Sequence, residues 1–459
     1  MYFEDTIAAL STPIGTGGIG IIRISGKNAF DIVSNIFKSR KTIDEMDSHT
    51  VTYGKIIDPT NSNVVDEVLL TKLCKPKTFT REDIIEINCH GGLVVVNRIL
   101  ELLFKYGARP AEAGEFTKRA FLNGRIDLSQ AEAIIDLINS KTIESSRAAI
   151  NHLEGNLSKK LNSLRQTLVG LLAHIEVTVD YPEHDIEEIT GEKVIESLKI
   201  IKNSLMELAE SFDRGKILRE GINIVIAGKP NVGKSSLLNQ LSGNTKAIVT
   251  DIPGTTRDII EEYINIKGIP AKIIDTAGIR ITKDIVEKIG VDKAYNAIEN
   301  ADLIIMVIAA DTGILKEDTE VLKIIKDKKS IVMINKIDLV KEDEIDSIRN
   351  QLSADKILEA SVINEKGIEE LEDIIYRMFY NGEISQNNEI IITNARHKNL
   401  VDISIESINQ AISSFEIGMP LDMVTIDIKN SADYIGKITG ESIDDAIMHE
   451  IFSQFCIGK

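Results

Sequence analysis

The stretch INIVIAGKPNVGKSSLLNQL, Ile222–Leu241, decides the architecture of this 459-residue chain. INIVIA reads as an apolar strand of the kind buried on both faces of a parallel sheet, and SSLLNQL reads as a helix. Between them, Gly228 to Ser235 fit G-x-x-x-x-G-K-S in full, in the strand–loop–helix context that gives the motif meaning. The glycines let backbone N–H groups curl around phosphates, and the helix N-terminus adds partial positive charge. Lys234 is then placed for the β- and γ-phosphates and Ser235 for Mg²⁺.

The partners of such a loop follow in order. AKIIDTAG, LIIMVIAA and SIVMINK repeat the buried-strand pattern, which predicts an α/β P-loop GTPase (Ras-like) domain over residues 221–380. Asp275, Thr276, Ala277 and Gly278 end one strand; Asp275 suits Mg²⁺ through water and Gly278 suits the γ-phosphate. Asn335, Lys336, Ile337 and Asp338 end another. The Asp338 carboxylate accepts both N–H donors of a guanine edge, which adenine does not offer, so the expected nucleotide is GTP. The third guanine loop, Ser361-Val362-Ile363, departs from the usual Ser-Ala-Lys, leaving a backbone N–H to serve. Ile279 stands where Ras-like GTPases carry a water-positioning Gln. No cis arginine finger can be assigned, although such a charge gives roughly 10³–10⁵ in rate. Another positive charge is required.

The flanks have different textures. Residues 1–122 read as α+β: IGIIRISG, VTYGKIID and DIIEINCHGG look like strands, and LVVVNRILELLFKYG like a helix. Residues 123–220 have helical spacing, broken at Pro182, and the helical texture returns at 381–459 after the polar linker NGEISQNNE. The simplest organisation is an all-α domain, 123–220 plus 381–459, interrupted by an inserted domain. Insertion is tolerated where the guest's ends lie close together.

Composition sets the limits. Apolar content of 43% and charged content of 27% suit a globular protein. No apolar run reaches the roughly 18 residues of a membrane span, and MYFEDTIAAL lacks a secretory basic region. Three cysteines (Cys74, Cys89, Cys456), without metal-ligand spacing, fit a reducing cytoplasm. The net charge of −18 argues against a broad nucleic-acid surface. Residues 1–128 nevertheless balance 16 basic against 16 acidic side chains, which leaves a local RNA contact open. The terminal FCIGK puts Cys456 fourth from the end, but Lys459 is no prenylation signal and no polybasic run precedes it. Ala446, Ile447, Ile451, Phe455 and Ile457 form a near-helical apolar stripe, so a docked tail is expected, not a lipid anchor.

TDIPGTTRD (Thr250–Asp258), DTAGIR (Asp275–Arg280), INCHGG, GEFTKRAFLNGRIDLSQAEAI and FCIGK together resemble the MnmE (TrmE) family of tRNA-modification GTPases along the whole chain. The resemblance implies activation by K⁺ bound when two G domains meet, with Asn231, Thr250, Ile252 and Thr255 as its ligands. It implies a nucleotide site of Asn231, Val232, Gly233, Lys234, Ser235 and Ser236, joined by Asp251, Pro253 and Gly254. Thr256 would complete the Mg²⁺ shell with Ser235, and Glu287 would position water beside the catalytic Lys234. Without the resemblance, Glu287 reads as a solvated helix carboxylate. The N-terminal domain resembles folate-binding domains, which implies a tetrahydrofolate site at Arg23, Glu82, Arg125 and Lys459. The tail would fold back to deliver Lys459, with Cys456 close by, as a reactive thiol or as a buried structural one, which Ile457 favours.

Also implied are a homodimer through the N-terminal domains and a heterotetramer with an MnmG-type flavoprotein that brings FAD and NADH. The substrate would be C5 of the wobble uridine, position 34, of tRNA, receiving a carboxymethylaminomethyl or aminomethyl group in the cytoplasm. Two other classes remain: a ribosome- or RNA-assembly GTPase without folate, and a folate one-carbon transferase with a regulatory G domain.

Overall fold

The computed structural model describes residues 5–180, 191–244, 263–275, 297–352, 356–380 and 389–459. The first unit is built on one sheet of seven strands: β1 (Ile7–Leu10), β2 (Gly17–Ser25), β3 (Phe37–Lys38), β4 (Thr50–Ile57), β5 (Val64–Leu73), β6 (Ile84–Gly91) and β7 (Arg109–Pro110). Their order is β3-β4-β5-β6-β2-β1-β7, antiparallel throughout except for the β1–β7 pair. The helices Ala29–Ser34 and Leu93–Lys105 cover one face, setting Ile32, Val33, Ile99 and Leu103 against Ile22, Ile24, Leu70, Ile85 and Ile87. β5 is absent from the strand-like runs read in the sequence. Asp66, Glu67 and Lys72 interrupt its apolar alternation, and pairing with β4 and β6 recruits it. Lys72 is buried and donates to Ile43 O (2.8 Å) and Met46 O (3.0 Å). On the far side of β4 and β5, Val51, Tyr53 and Leu69 are 60, 58 and 47% exposed, and Tyr53 faces Leu69 across the ladder.

The inserted unit has β8 (Ile222–Ala227), β9 (Tyr263–Ile266), β10 (Ile269–Asp275), β11 (Leu303–Ala309), β12 (Ser330–Asn335) and β13 (Ile357–Glu359). The order is β13-β12-β11-β8-β10-β9; β9 runs antiparallel to β10 and the other pairs are parallel. Period-two alternation divides the buried residues between two cores. Ile224, Ile226, Ile305 and Val307 belong to one, with Val225, Ile304, Met306 and Ile308 in the other. A sheet covered on both faces presents its strand ends as the open surface, and ligands bind outside the carboxyl ends. The P-loop, Asp275, Asn335 and Ser361 all stand at those ends.

The helical unit packs Asn156–Asp180, Gly191–Glu210, Ala395–Glu416 and Leu421–Thr439 around Leu161, Leu168, Leu198, Val401, Ile408 and Ile428. The chain leaves it through the helix Phe212–Glu220 and returns beside that helix. The Ile392 N–H donates to Ser211 Oγ (3.0 Å), and Arg214 bonds Glu389 (2.8 Å). Gly215 permits this approach, because a Cβ there would lie 2.1 Å from Ile392 O. Gly215→Ala should therefore destabilise the helical unit by about 1–3 kcal/mol, the usual cost of overpacking, readable as a lower urea midpoint.

His152 closes the same junction. It is buried, and because a carbonyl only accepts, its Nε2–H donates to Ile391 O at 2.6 Å. Burial lowers its pKa to about 4, so the folded protein keeps it neutral where the unfolded chain, near 6.5, binds a proton. The unfolded state thus binds more protons between these values, and stability falls as pH drops from 6.5 towards 4, by about 3 kcal/mol over the window. Melting temperatures at pH 7 and pH 5 should differ less in His152→Gln than in the parent.

Candidate active site

A pocket of about 440 Å³ opens at the carboxyl ends of the inserted sheet. Pro230, Asn231, Gly233, Lys234, Ser235 and Ser236 line one side; Asn335, Lys336, Asp338, Ser361, Val362 and Ile363 line the other. The loop turns through left-handed backbone at Asn231 (φ 67°) and Gly233 (φ 103°), and a Cβ at Gly233 would lie 2.2 Å from Asn335 Nδ2. Lys234 is buried and its Nζ donates to the carbonyls of Gly228 (2.8 Å) and Lys229 (2.6 Å). The ammonium is therefore folded into its own loop. Lys229 pairs outward with Asp318 (2.6 Å), fixing the loop to the helix Lys316–Ile325.

Asn335 is a staple. Its Nδ2 donates to Val232 O (2.8 Å) and its Oδ1 accepts from the Val362 N–H (3.1 Å), tying the phosphate loop to the base loop through a buried amide. That use of the Val362 N–H leaves Ile363, exposed at the rim, as the position in Ser361-Val362-Ile363 that can offer backbone to a base. Ser361 Oγ donates to Asp338 Oδ1 (2.5 Å), so the serine orients the carboxylate expected to read guanine. Asp275 is the last residue of β10 and pairs with Ile226 of β8. Thr250, Asp251, Ile252, Pro253, Gly254, Thr255, Thr256, Thr276, Ala277, Gly278, Ile279 and Glu287 lie outside the described residues.

A second cluster sits on the N-terminal sheet. Arg23 on β2 pairs with Glu86 on β6 (2.8 Å), with its guanidinium 5.6 Å from the Phe116 ring and 5.9 Å from Phe79. Arg125 approaches the same Phe79 ring at 5.5 Å and donates to Thr78 O (2.7 Å). Glu82 accepts from Ser25 Oγ (2.7 Å), two residues along β2 from Arg23. Thus Arg23, Glu82 and Arg125 converge. The chain end reaches the same sheet: Ile457 bridges to Ala113, and Ser11 Oγ donates to Gly458 O (3.0 Å). Gly458 lies against Leu10, whose partner across the ladder is Ile22, next to Arg23.

Residues 6–125 match the family model described as the GTP-binding protein TrmE N-terminus, and residues 128–456 match the MnmE helical domain. The tRNA modification GTPase MnmE of Acetivibrio thermocellus is 63% identical over 459 residues, all of both chains. Its counterpart in Clostridioides difficile is 51% identical, again over the whole of both, and that of Staphylococcus aureus 47% over 99% of each. The chain belongs to the MnmE family. It is a GTP hydrolase.

Two expectations for the tail of this MnmE-family chain are corrected. The buried face of the helix Asp445–Ser453 and the turn after it is Met448, Phe452 and Phe455, packed with Phe121, Leu128 and Ala131. Ala446 and Ile447 of the expected stripe are exposed, because the docked face lies one position round the helix. Cys456 is exposed and Ile457 is 64% exposed, so the thiol is no core residue: the tail is held by backbone bonds on either side of it. Sequence reasoning missed Phe79, Ser25, Arg119 and the staple role of Asn335. For Phe79 the available signal was an aromatic two positions from both Lys77 and Arg81; for the others there was none short of the fold.

One helix links the two sites of the MnmE-family chain. Along Leu128–Asn139, residues one turn apart meet different partners: Leu128 packs with Phe452 and Phe455 of the tail, and Glu132 binds Arg396 and His397. Asp136 pairs with Arg219 (2.7 Å) on the helix leading to the G domain. Burial by itself would raise the Glu132 carboxyl; His397 and Arg396 outweigh it and hold the group at about 2.

Proposed function

We propose that GTP hydrolysis by this chain gates the modification of C5 of the wobble uridine, position 34, of tRNA, adding a carboxymethylaminomethyl or aminomethyl group. The single observation that carries this reading is the full-length match to tRNA modification GTPases at 63% identity. A tetrahydrofolate carbon fits the N-terminal cluster: Glu82 offers a carboxylate to an aminopyrimidine edge, and Arg23, Arg125 and Lys459 offer cations to an acidic tail. This cluster also counts against a ribosome-assembly GTPase, which has no use for it. An MnmG-type flavoprotein supplies the redox steps through its FAD and NADH. The exposed Val51, Tyr53 and Leu69 face supports a homodimer through the N-terminal sheets, in the cytoplasm. No helix among the described residues is long and apolar enough to cross a membrane. Nucleoside analysis of tRNA from cells lacking the protein should show the wobble derivative missing; an unchanged profile would overturn the reading.

The donor chemistry of the G-domain pocket suits two cations. Asn231 brings a neutral carboxamide oxygen to the pocket, the donor type that suits a large monovalent ion, and Ser235 brings the hydroxyl expected for Mg²⁺. With K⁺ bound, positive charge is supplied where Ras-like proteins use an arginine finger. Hydrolysis should run more than tenfold faster in K⁺ than in Na⁺ buffer, an arginine finger itself giving roughly 10³–10⁵. Equal rates would remove the role given to Asn231.

A further inference from the structure

Among the N-terminal groups, Arg119 is fully buried and yet makes no contribution to the reading above. Its Nη1 donates to both oxygens of Glu82 (3.1 and 3.2 Å) and to Asp5 O (3.1 Å). Its Nη2 donates to Asp5 Oδ1 (2.8 Å) and Glu115 Oε1 (3.3 Å). Arg109 completes the cluster by pairing with Asp5 (2.6 Å) and Glu115. Three carboxylates, Asp5, Glu82 and Glu115, thus share two guanidiniums, and one negative charge is left over.

Glu82 stands where that charge is useful. Its side chain is 13% exposed, between 5% for Glu115 and 43% for Asp5, and it alone of the three lies beside Ser25, two residues along β2 from Arg23. Its loop is gripped from both sides: Thr78 Oγ1 donates to Glu82 O (2.6 Å), and the Glu82 N–H donates to Thr80 Oγ1 (3.2 Å). Thr80 Oγ1 in turn bonds Ser25 Oγ (2.7 Å). A carboxylate has about four lone-pair directions. Arg119 contacts both oxygens and Ser25 one of them, which leaves one direction on Oε1 for a ligand.

We propose that Arg119, with Ser25, is the positioning residue that fixes Glu82 as the acceptor for an N–H donor of a reduced pterin. The proposal rests on the folate reading of this cluster and deepens it. A guanidinium fork holds the plane of a carboxylate as well as its charge, whereas an ammonium holds only charge. Arg119→Lys therefore keeps the buried carboxylates compensated and removes the orientation, while Ser25→Ala removes the second donor without touching any charge.

The test is a binding cycle on the full-length protein, with 5-formyltetrahydrofolate as the probe in a calorimeter and thermal melting as the check on folding. Arg119→Lys and Ser25→Ala should each weaken binding by about tenfold or more, the worth of one charge-assisted hydrogen bond. In a Glu82→Gln background the same two changes should cost less than about twofold, because a residue that acts through Glu82 has nothing left to position. A merely structural role would weaken binding equally in both backgrounds, and that result overturns the proposal. Parent-like affinity in both single variants overturns it too. Should Arg119→Lys fail to melt cooperatively, the Ser25→Ala arm decides alone. Absence of binding by the unaltered protein would instead bring down the folate reading, and the proposal with it.

Discussion

Lys234→Ala should lower GTP turnover by about 10²–10³, the loss seen when one preorganised donor to developing charge is removed. The geometry explains why nothing compensates. Lys234 enters the loop from its own helix, and its ammonium is held by the Gly228 and Lys229 carbonyls inside the turn where phosphate oxygens are expected. Among the described residues no neighbouring cation takes that place: Lys229 turns away to Asp318 and Lys336 pairs with Asp311. Steady-state phosphate release at saturating GTP measures the effect. The same variant tests the gating idea, since tRNA modification at the parental level by a protein unable to hydrolyse GTP would end it.

Asp338→Asn should change which nucleotide is accepted. A carboxylate accepts from the two N–H groups of guanine, whereas a carboxamide accepts one and presents a donor to the other. Each hydrogen bond to a charged group contributes about 1.5–3 kcal/mol, so GTP affinity should fall by roughly 10²–10⁴. Xanthine replaces guanine's amino group with a carbonyl, which the new amide can meet. Xanthosine triphosphate should therefore bind the variant better than GTP does, in a competition assay with a fluorescent nucleotide. Ser361 makes the outcome sharper, because its hydroxyl donates to Asp338 Oδ1, an oxygen that asparagine retains. The orientation of the group survives while its chemistry changes. Unaltered preference for GTP would show that Asp338 does not read the base.

The P-loop, Asp275 and the Asn335–Asp338 run were legible because each is local: a strand must end there, and the chemistry follows within a few residues. Role assignment was less secure. Asn335 belongs to the guanine motif in sequence, but its amide joins Val232 to Val362, a link between three segments that no linear spacing reveals. β5 was missed for a related reason. Asp66 and Glu67 spoil its apolar alternation, and only its neighbours β4 and β6 make it a strand. The tail shows the limit of periodicity: an apolar stripe announced docking, but which side of the helix docks was settled by Phe121 and Leu128.

The sequence by itself determined the nucleotide, the order of the units and the family, because glycine placement, strand-end motifs and apolar period are local and survive without coordinates. Tertiary structure alone decided how the charges are spent. Asp5, Glu82, Glu115, Arg109 and Arg119 are scattered over more than a hundred positions, and burial is what forces them into mutual pairing. The physical reason is that an ion taken out of water must find its partner in space, and the distance along the chain between the two has no bearing on that requirement.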